Sequence, residues 1–135
     1  MTTGGSEFPI RGVVGVVGGS DDEVRRQLAR LEELPGIAGV EVRADLFTSC
    51  TAALPMIEGL ADRWPVLFTA RLKAEGGAYR GSEAERIELY KQALQRGAVL
   101  IDVELRSEAS RVMADRGATL AALASPTWTV RVGAS

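Results

Sequence analysis

Charged residues stand at the ends of three short apolar segments in this sequence. Glu41 and Arg43 are two residues apart, as are Asp102 and Glu104, and Arg71 directly ends a third apolar run. Residues i and i+2 of a strand point to the same face, so each pair is expected to place two ionisable groups on one side. Removing an unpaired charge from water costs on the order of several kcal/mol, so these groups are expected to pair or to bind a ligand.

A cluster of guanidinium and carboxylate groups suits a small anionic, hydroxylated molecule. The guanidinium fork matches a carboxylate, and a carboxylate accepts hydrogen bonds from hydroxyl groups. A single charge can equally mark the point where a strand leaves the core for solvent, and Asp45 and Arg106 are interpreted in that way. The functional interpretation depends on three successive strands that carry such groups at the same end, where α/β proteins build their sites.

The elements that must position these groups are short apolar runs that alternate with helical periods. Capping boxes, Ser20 with Glu23 and Ser82 with Glu85, begin two of the helices. Helices are predicted over about 20–34, 51–63, 82–96 and 108–117. Strands are predicted over 12–17, 38–47, 65–71, 98–105 and 118–124, the first of them buried on both faces.

Strands that alternate with helices predict βαβ units and a parallel sheet. Two architectures compete. One is a complete five-stranded doubly wound domain, for which 135 residues is a sufficient length. The other is part of a (β/α)₈ barrel, which typically needs about 250 residues. Length alone favours the doubly wound domain.

Composition excludes several classes of function. The net charge is −2, and no basic run exceeds two residues, so nucleic-acid binding is not predicted. No stretch approaches about 18 apolar residues, and the N-terminus lacks the pattern of a signal peptide, so no membrane association is predicted. The single cysteine, Cys50, excludes an internal disulfide and favours a cytoplasmic location. The absence of histidine removes the commonest general base and metal ligand.

Three linked motifs resemble the amino-terminal half of type I 3-dehydroquinate dehydratase. They are VEVRADLF (40–47), LFTARLKAEGGAYRGSEAER (67–86) and LIDVEL (100–105). The family carries Glu-x-Arg-x-Asp on its second strand, Phe-Thr-x-Arg followed by Glu-Gly-Gly on its third, and Asp-x-Glu-Leu on its fourth. Order and spacing agree over roughly residues 10–106, and three linked motifs are more specific than any one alone.

The resemblance implies an α/β fold, a partial (β/α)₈ TIM barrel made of the first four to five βα units with parallel strands. It implies a lyase of the shikimate pathway of aromatic amino acid biosynthesis, which converts 3-dehydroquinate to 3-dehydroshikimate and water. In the family, a lysine forms a Schiff base with the substrate ketone and a histidine acts as general acid and base. No metal or organic cofactor is implied, and the partner is the small-molecule substrate 3-dehydroquinate.

The resemblance also implies a role for each matching residue. Glu41, Arg43 and Arg71 would bind the substrate, with Arg71 as its anchor. Glu75 would orient the catalytic histidine through a hydrogen bond. The polar floor of the site would include Asp102 and Glu104.

The sequence departs from the family at its catalytic centre. It contains no histidine, and neither Lys73 nor Lys91 stands where the Schiff-base lysine belongs. We divide the chain into a flexible lead-in (1–9), a partial barrel (10–124) and an aberrant tail (125–135). A truncated or frameshifted gene product, which we favour, and a pseudo-enzyme with a new tail both fit this pattern.

Two classes of function follow from these observations. The first is a dehydratase half barrel that is inactive alone and that forms a homodimer or complements a second fragment. The second is a self-contained five-stranded α/β binding or regulatory module without catalysis, with helices on both faces of an open sheet. Another Schiff-base barrel, such as an aldolase, would lack its lysine equally, and the Glu-Gly-Gly loop favours the dehydratase.

Overall fold

The computed structural model describes residues 12–104, residue 112 and residues 129–133. The predicted lead-in, most of the fourth predicted helix and the strand predicted over 118–124 lie outside these residues. Three short 3₁₀ helices accompany the main elements, at Ala44–Leu46, Cys50–Ala53 and Lys73–Glu75. The strands and helices are β1 (Val14–Val17), α1 (Asp21–Glu33), β2 (Gly39–Arg43), α2 (Pro55–Ala61), β3 (Val66–Thr69), α3 (Glu83–Gln95), β4 (Leu100–Glu104) and β5 (Thr129–Gly133).

All five strands are parallel and follow one another across a single sheet in the order β1-β2-β3-β4-β5. Each crossover therefore steps in the same direction, and right-handed crossovers then bring the connecting helices to the same face. A doubly wound sheet would need a reversal of strand order. The predicted α/β fold, a partial TIM barrel, is confirmed, and the doubly wound alternative that length favoured is wrong.

The hydrophobic core lies between the sheet and its helices. Val17, Val42, Phe68 and Ile101 are direct neighbours across four strands, and all four are fully buried. Burying each of these side chains contributes about 1.5–3 kcal/mol. The helices complete the same core with apolar side chains that include Leu31, Leu60, Ile57, Ile87, Tyr90 and Leu94.

The other face of the sheet is the inner face, defined by the row Val16, Glu41, Leu67 and Leu100. Leu67 and Leu100 are buried but lie outside the helix-side core. Val16 is 48% exposed, so the prediction that the first strand is buried on both faces is wrong. The reason is that β1 pairs only with β2 among the described strands, and its apolar pattern cannot indicate a missing neighbour.

Both predicted capping boxes are present. Ser20 and Glu23 exchange side-chain and backbone hydrogen bonds at the start of α1, and Ser82 and Glu85 do the same at the start of α3. The helix predicted over 51–63 is divided before α2, because Pro55 lacks an N–H group and suits the first helical position. Among the described residues, no helix has the length and apolarity needed to cross a bilayer.

Candidate functional site

A cross-strand hydrogen bond fixes the first acidic residue of the inner face. The hydroxyl of Thr69 in β3 donates to Oε2 of Glu41 in β2 at 2.7 Å. Thr69 is almost completely buried and stands opposite Arg43 in the ladder. Sequence reasoning treated Thr69 as part of an apolar run, although it is the one polar residue of Val66–Ala70. Its hydroxyl holds the Glu41 carboxylate in one orientation.

Arg43 and Asp45 form a bidentate ion pair at the end of β2. Nη2 of Arg43 donates to Oδ2 of Asp45 at 2.7 Å, and Nε donates to Oδ1 at 3.0 Å. The Asp45 side chain is fully buried, and that of Arg43 is 17% exposed. The prediction that Asp45 only marks a strand exit into solvent is wrong.

The same carboxylate holds the loop that follows β3. Oδ2 of Asp45 accepts a hydrogen bond from the backbone N–H of Ala78 at 3.1 Å, and the backbone N–H of Arg71 also donates to Asp45. Burial alone would raise the pKa of Asp45, but the hydrogen bond and charge of Arg43, with these two amides, outweigh it and lower that pKa. One ionised carboxylate therefore links an arginine on β2 to the backbone of an arginine after β3.

The two glycines of the Glu-Gly-Gly motif meet different requirements. Gly76 ends the 3₁₀ helix with a φ of +86°, a conformation that favours glycine. A Cβ atom at Gly77 would lie 2.3 Å from the carbonyl oxygen of Arg71, so this position needs glycine for close approach. The loop thus folds back directly onto the Arg71 backbone, whose carbonyl also accepts a hydrogen bond from the Tyr79 N–H at 3.0 Å.

Arg71 lies two residues beyond Thr69, the last residue of the β3 ladder. Thr69 belongs to the inner face and Ala70 to the helix-side core, so an alternation that continues past the ladder would turn Arg71 to the inner side. Its backbone N–H is linked to Arg43 through the Asp45 carboxylate. The Arg71 side chain is partly buried. Lys73, the lysine nearest to this position in sequence, is exposed on the 3₁₀ helix.

The remaining predicted site residues are located by their backbone. Asp102 stands opposite Thr69 in the β3–β4 ladder, and Glu104 stands opposite Gly133 at the end of β4. Glu75 is the last residue of the 3₁₀ helix that follows Arg71. The carboxyl ends of β2, β3 and β4 are therefore adjacent, and the backbones of the predicted residues lie in these strands or in the loop after β3.

The arrangement suits binding rather than nucleophilic or metal chemistry. Two guanidinium groups and an oriented carboxylate can bind an anionic molecule that carries hydroxyl groups. Within 12–104 and the other described residues, no cluster of three or more His, Cys, Asp or Glu side chains could hold a metal ion. Burial raises the pKa of the Cys50 thiol, which disfavours a reactive thiolate.

A cavity of about 340 Å³ lies away from the inner face, between the Ser49–Thr51 segment and α3. Its walls include Cys50, Tyr79 and Leu89. Burial raises the pKa of Tyr79 to about 12, so its hydroxyl keeps its proton and donates to the carbonyl of Ser82 at 2.8 Å. This cavity is separate from the predicted site and uses none of the arginines.

Comparison with known proteins gives one consistent family. The family model described as Type I 3-dehydroquinase matches residues 13–125. The 3-dehydroquinate dehydratase of Methanocaldococcus jannaschii is 33% identical over 92 residues, which cover 67% of this chain and 40% of that protein. The 3-dehydroquinate dehydratase of Desulfotalea psychrophila is 41% identical over 68 residues, which cover 50% of this chain and 29% of that protein.

The fold is also similar to a solved type I 3-dehydroquinate dehydratase from Clostridium difficile, crystallised with covalently modified comenic acid. The TM-score is 0.66 at 24% identity, and the match covers 86% of this chain and 48% of that one. The chain therefore spans about half the length of that structure, and less than half of each of the two relatives.

Proposed function

The chain belongs to the type I 3-dehydroquinase family, and from this premise we propose that its inner face is the substrate-binding half of a 3-dehydroquinate dehydratase site. The observation that carries the proposal is the buried carboxylate of Asp45. It pairs with Arg43 through two hydrogen bonds and also accepts from the backbone of Arg71. The two arginine-bearing segments are thereby held in one fixed arrangement, as recognition of a small rigid anion requires.

Each residue has a proposed role. The Arg71 guanidinium anchors the substrate by charge and hydrogen bonds, and Arg43 binds neighbouring polar groups of the ring. Glu41 accepts a hydrogen bond from a ring hydroxyl, and the Thr69 hydroxyl supports it by fixing its orientation. Glu75 orients a histidine of the complete site, and Asp102 and Glu104 contribute to its polar floor.

Dehydration itself needs groups that this sequence does not supply. In the Schiff-base mechanism, a lysine amine condenses with the substrate ketone, and the imine makes the adjacent C–H acidic. A histidine removes that proton and returns one to the departing hydroxyl, which leaves as water. The 135-residue sequence contains no histidine. We therefore propose that this chain by itself binds the substrate without turning it over, and that no metal or organic cofactor takes part.

Titration of the purified chain with 3-dehydroquinate, followed by NMR, tests the binding proposal. We expect saturable shifts at Arg43, Thr69 and Arg71, and their loss in Arg71→Ala. Lys91→Ala is the matched control, because it removes the same charge from α3 and is expected to bind as the wild type does. Equal binding by Arg71→Ala would contradict the assigned anchor.

Catalytic incompetence is tested separately on the same protein. Formation of the conjugated product is followed by absorbance, and the chain is reduced with borohydride in the presence of 3-dehydroquinate and then weighed by mass spectrometry. We expect neither product nor a covalent adduct. A normal rate of dehydration by the 135-residue chain would contradict this part of the proposal.

The open inner face favours a partner that completes the barrel. Val16 is 48% exposed on β1, which has one neighbouring strand among those described. We propose a complementing fragment with the remaining strands or, failing that, a homodimer. Mixing the chain with the carboxyl-terminal portion of the Methanocaldococcus jannaschii relative should give a heterodimer in size-exclusion chromatography, with restored dehydration. A chain that stays monomeric and does not bind this fragment would favour the self-contained binding module.

A further inference from the structure

A completely buried guanidinium lies beneath the end of β3 and is not part of the proposed binding site. Arg86 is 0% exposed, although arginine is among the residues least often buried. Its Nε and Nη2 atoms each donate to the Glu83 carboxylate at 2.9 Å, so its charge is paired. Its Nη1 atom donates to the carbonyl oxygen of Ala70 at 2.8 Å. The side chain thus connects α3 to the residue immediately before Arg71.

Tyr90, one turn further along α3, binds the same residue. Its hydroxyl donates to the carbonyl of Ala70 and accepts from the N–H of Ala70, each at 3.2 Å. The Tyr90 ring is fully buried and packs edge-on against Phe68, with ring centroids 6.0 Å apart. The β3 ladder ends at Thr69. Side chains of α3 therefore satisfy both backbone polar groups of the next residue.

The carbonyl of Ala70 and the N–H of Arg71 belong to one peptide group. The carbonyl is held by Arg86 and Tyr90 from the helix side, and the N–H is held by Asp45. Because a peptide group is planar and its C=O and N–H point in opposite directions, bonds at both ends fix the orientation of the plane. That orientation sets the direction in which the Arg71 side chain leaves the backbone.

We propose that Arg86 and Tyr90 are positioning residues for substrate binding, which act on Arg71 through the Ala70–Arg71 peptide group. The inference rests on the proposed function, in which Arg71 anchors 3-dehydroquinate. An aliphatic side chain at position 86 could fill the same space without removing a charge from water. An aliphatic side chain could not donate to the Ala70 carbonyl, whereas the arginine both fills the space and donates to that oxygen.

Tyr90→Phe gives the sharpest test, because it keeps the ring and removes the hydroxyl. We expect the Kd for 3-dehydroquinate to rise about five- to tenfold, and the Arg71 amide to exchange its hydrogen at least tenfold faster without ligand. Arg86→Met should show the same two effects more strongly, and Arg86→Lys should recover part of the affinity. If Arg86→Met does not fold, Tyr90→Phe still decides the matter.

Gln27→Met is the matched control. Gln27 on α1 holds the backbone of Gly18 in the same manner, with hydrogen bonds of 2.8 and 2.9 Å to its N–H and carbonyl, but after β1. Loss of the Gln27 amide group should lower stability as Tyr90→Phe does. It should leave the Kd for 3-dehydroquinate and the exchange rate of the Arg71 amide unchanged. Equal affinity losses in the two variants would reduce Tyr90 to a packing residue and overturn the proposal.

The two measurements separate this inference from the proposed function. If the wild type binds and Tyr90→Phe binds equally well, the positioning role is wrong and the proposed function stands. If the wild type does not bind, the proposed function is wrong, and the exchange rate of the Arg71 amide judges the contact alone. Faster exchange in Tyr90→Phe then shows that the Tyr90 hydroxyl fixes the Ala70–Arg71 peptide group, and unchanged exchange shows that it does not.

Discussion

Replacing Asp45 with asparagine tests whether one buried carboxylate organises the site. Asparagine keeps the shape but removes the charge, and its amide group places donors where Arg43 and two backbone N–H groups already donate. The Asp45 side chain is fully buried and Arg43 is 17% exposed, so solvent screens this pair weakly. Breaking a buried pair on one side costs about 3–5 kcal/mol. We expect Asp45→Asn to lose about 3 kcal/mol of unfolding free energy, since one oxygen can still accept.

Urea unfolding, followed by tryptophan fluorescence and by circular dichroism, measures this loss. Asp22→Asn is the control, because Asp22 pairs with Arg25 on the exposed face of α1, where both side chains are more than two-thirds exposed. An exposed pair of this kind contributes about 0–1 kcal/mol. A loss of less than about 1 kcal/mol in Asp45→Asn would refute the central position assigned to this carboxylate.

The pH dependence provides an independent check on the same residue. The pKa of Asp45 is lowered in the folded chain from the ordinary value of 3.8, so the unfolded chain takes up this proton first as the pH falls. The stabilisation is therefore complete above about pH 4 and is lost as the pH falls through the lowered folded-state pKa. Between pH 7 and pH 3, the wild type should lose more unfolding free energy than Asp45→Asn. Parallel curves for the two proteins would contradict the assignment.

Three further predictions concern the residues around the site and one helix end. Gly77→Ala places a Cβ atom 2.3 Å from the Arg71 carbonyl oxygen. It should lower the free energy of unfolding in urea by about 1–3 kcal/mol and weaken substrate binding at least tenfold. The control Gly59→Ala has open space around its Cβ and should be neutral or stabilising. Thr69→Val removes the donor to Glu41 and should raise the Kd several-fold in the NMR titration. It should also lower the free energy of unfolding by about 1 kcal/mol. An unchanged Kd would show that Thr69 does not contribute to the site. Ser82→Ala removes a capping side chain of α3 and should lower stability by about 1 kcal/mol in thermal unfolding, with a smaller effect telling against the capping box.

Local patterns in the sequence were sufficient to predict the starts of α1 and α3 and the first four strands, whereas β5 lies in the segment predicted as a tail. Ser20 and Ser82 each stand three residues before a glutamate, and both form the expected caps, because a capping box needs only groups within one turn. Local patterns did not predict the order of the strands in the sheet. Length favoured a doubly wound sheet, and only the linked motifs around Arg43, Arg71 and Asp102 indicated the barrel.

Contacts between distant residues account for what sequence reasoning missed. Asp45 looked like a strand exit because its partner Ala78 lies 33 positions away. No local pattern assigned a role to Arg86, because its buried partner Ala70 is 16 positions earlier. The ion-pair partners themselves are close in sequence, Arg43 beside Asp45 and Glu83 beside Arg86. Their burial comes from contacts with distant segments, and such burial has no periodic signal in a single sequence.

The consecutive strand order has a consequence for how the chain folds during synthesis. Each strand pairs with the strand before it, so every new βα unit can dock on a surface that has already left the ribosome. Each pairing still joins residues at least 25 positions apart, such as Val14 and Gly39, and parallel pairing over this range forms slowly. Among the described strands, β1 has a neighbour on one side only, and its Val16 is 48% exposed. A slow docking step on the open side of β1 would leave this edge available to other nascent chains, so the earliest strand carries an aggregation risk during synthesis.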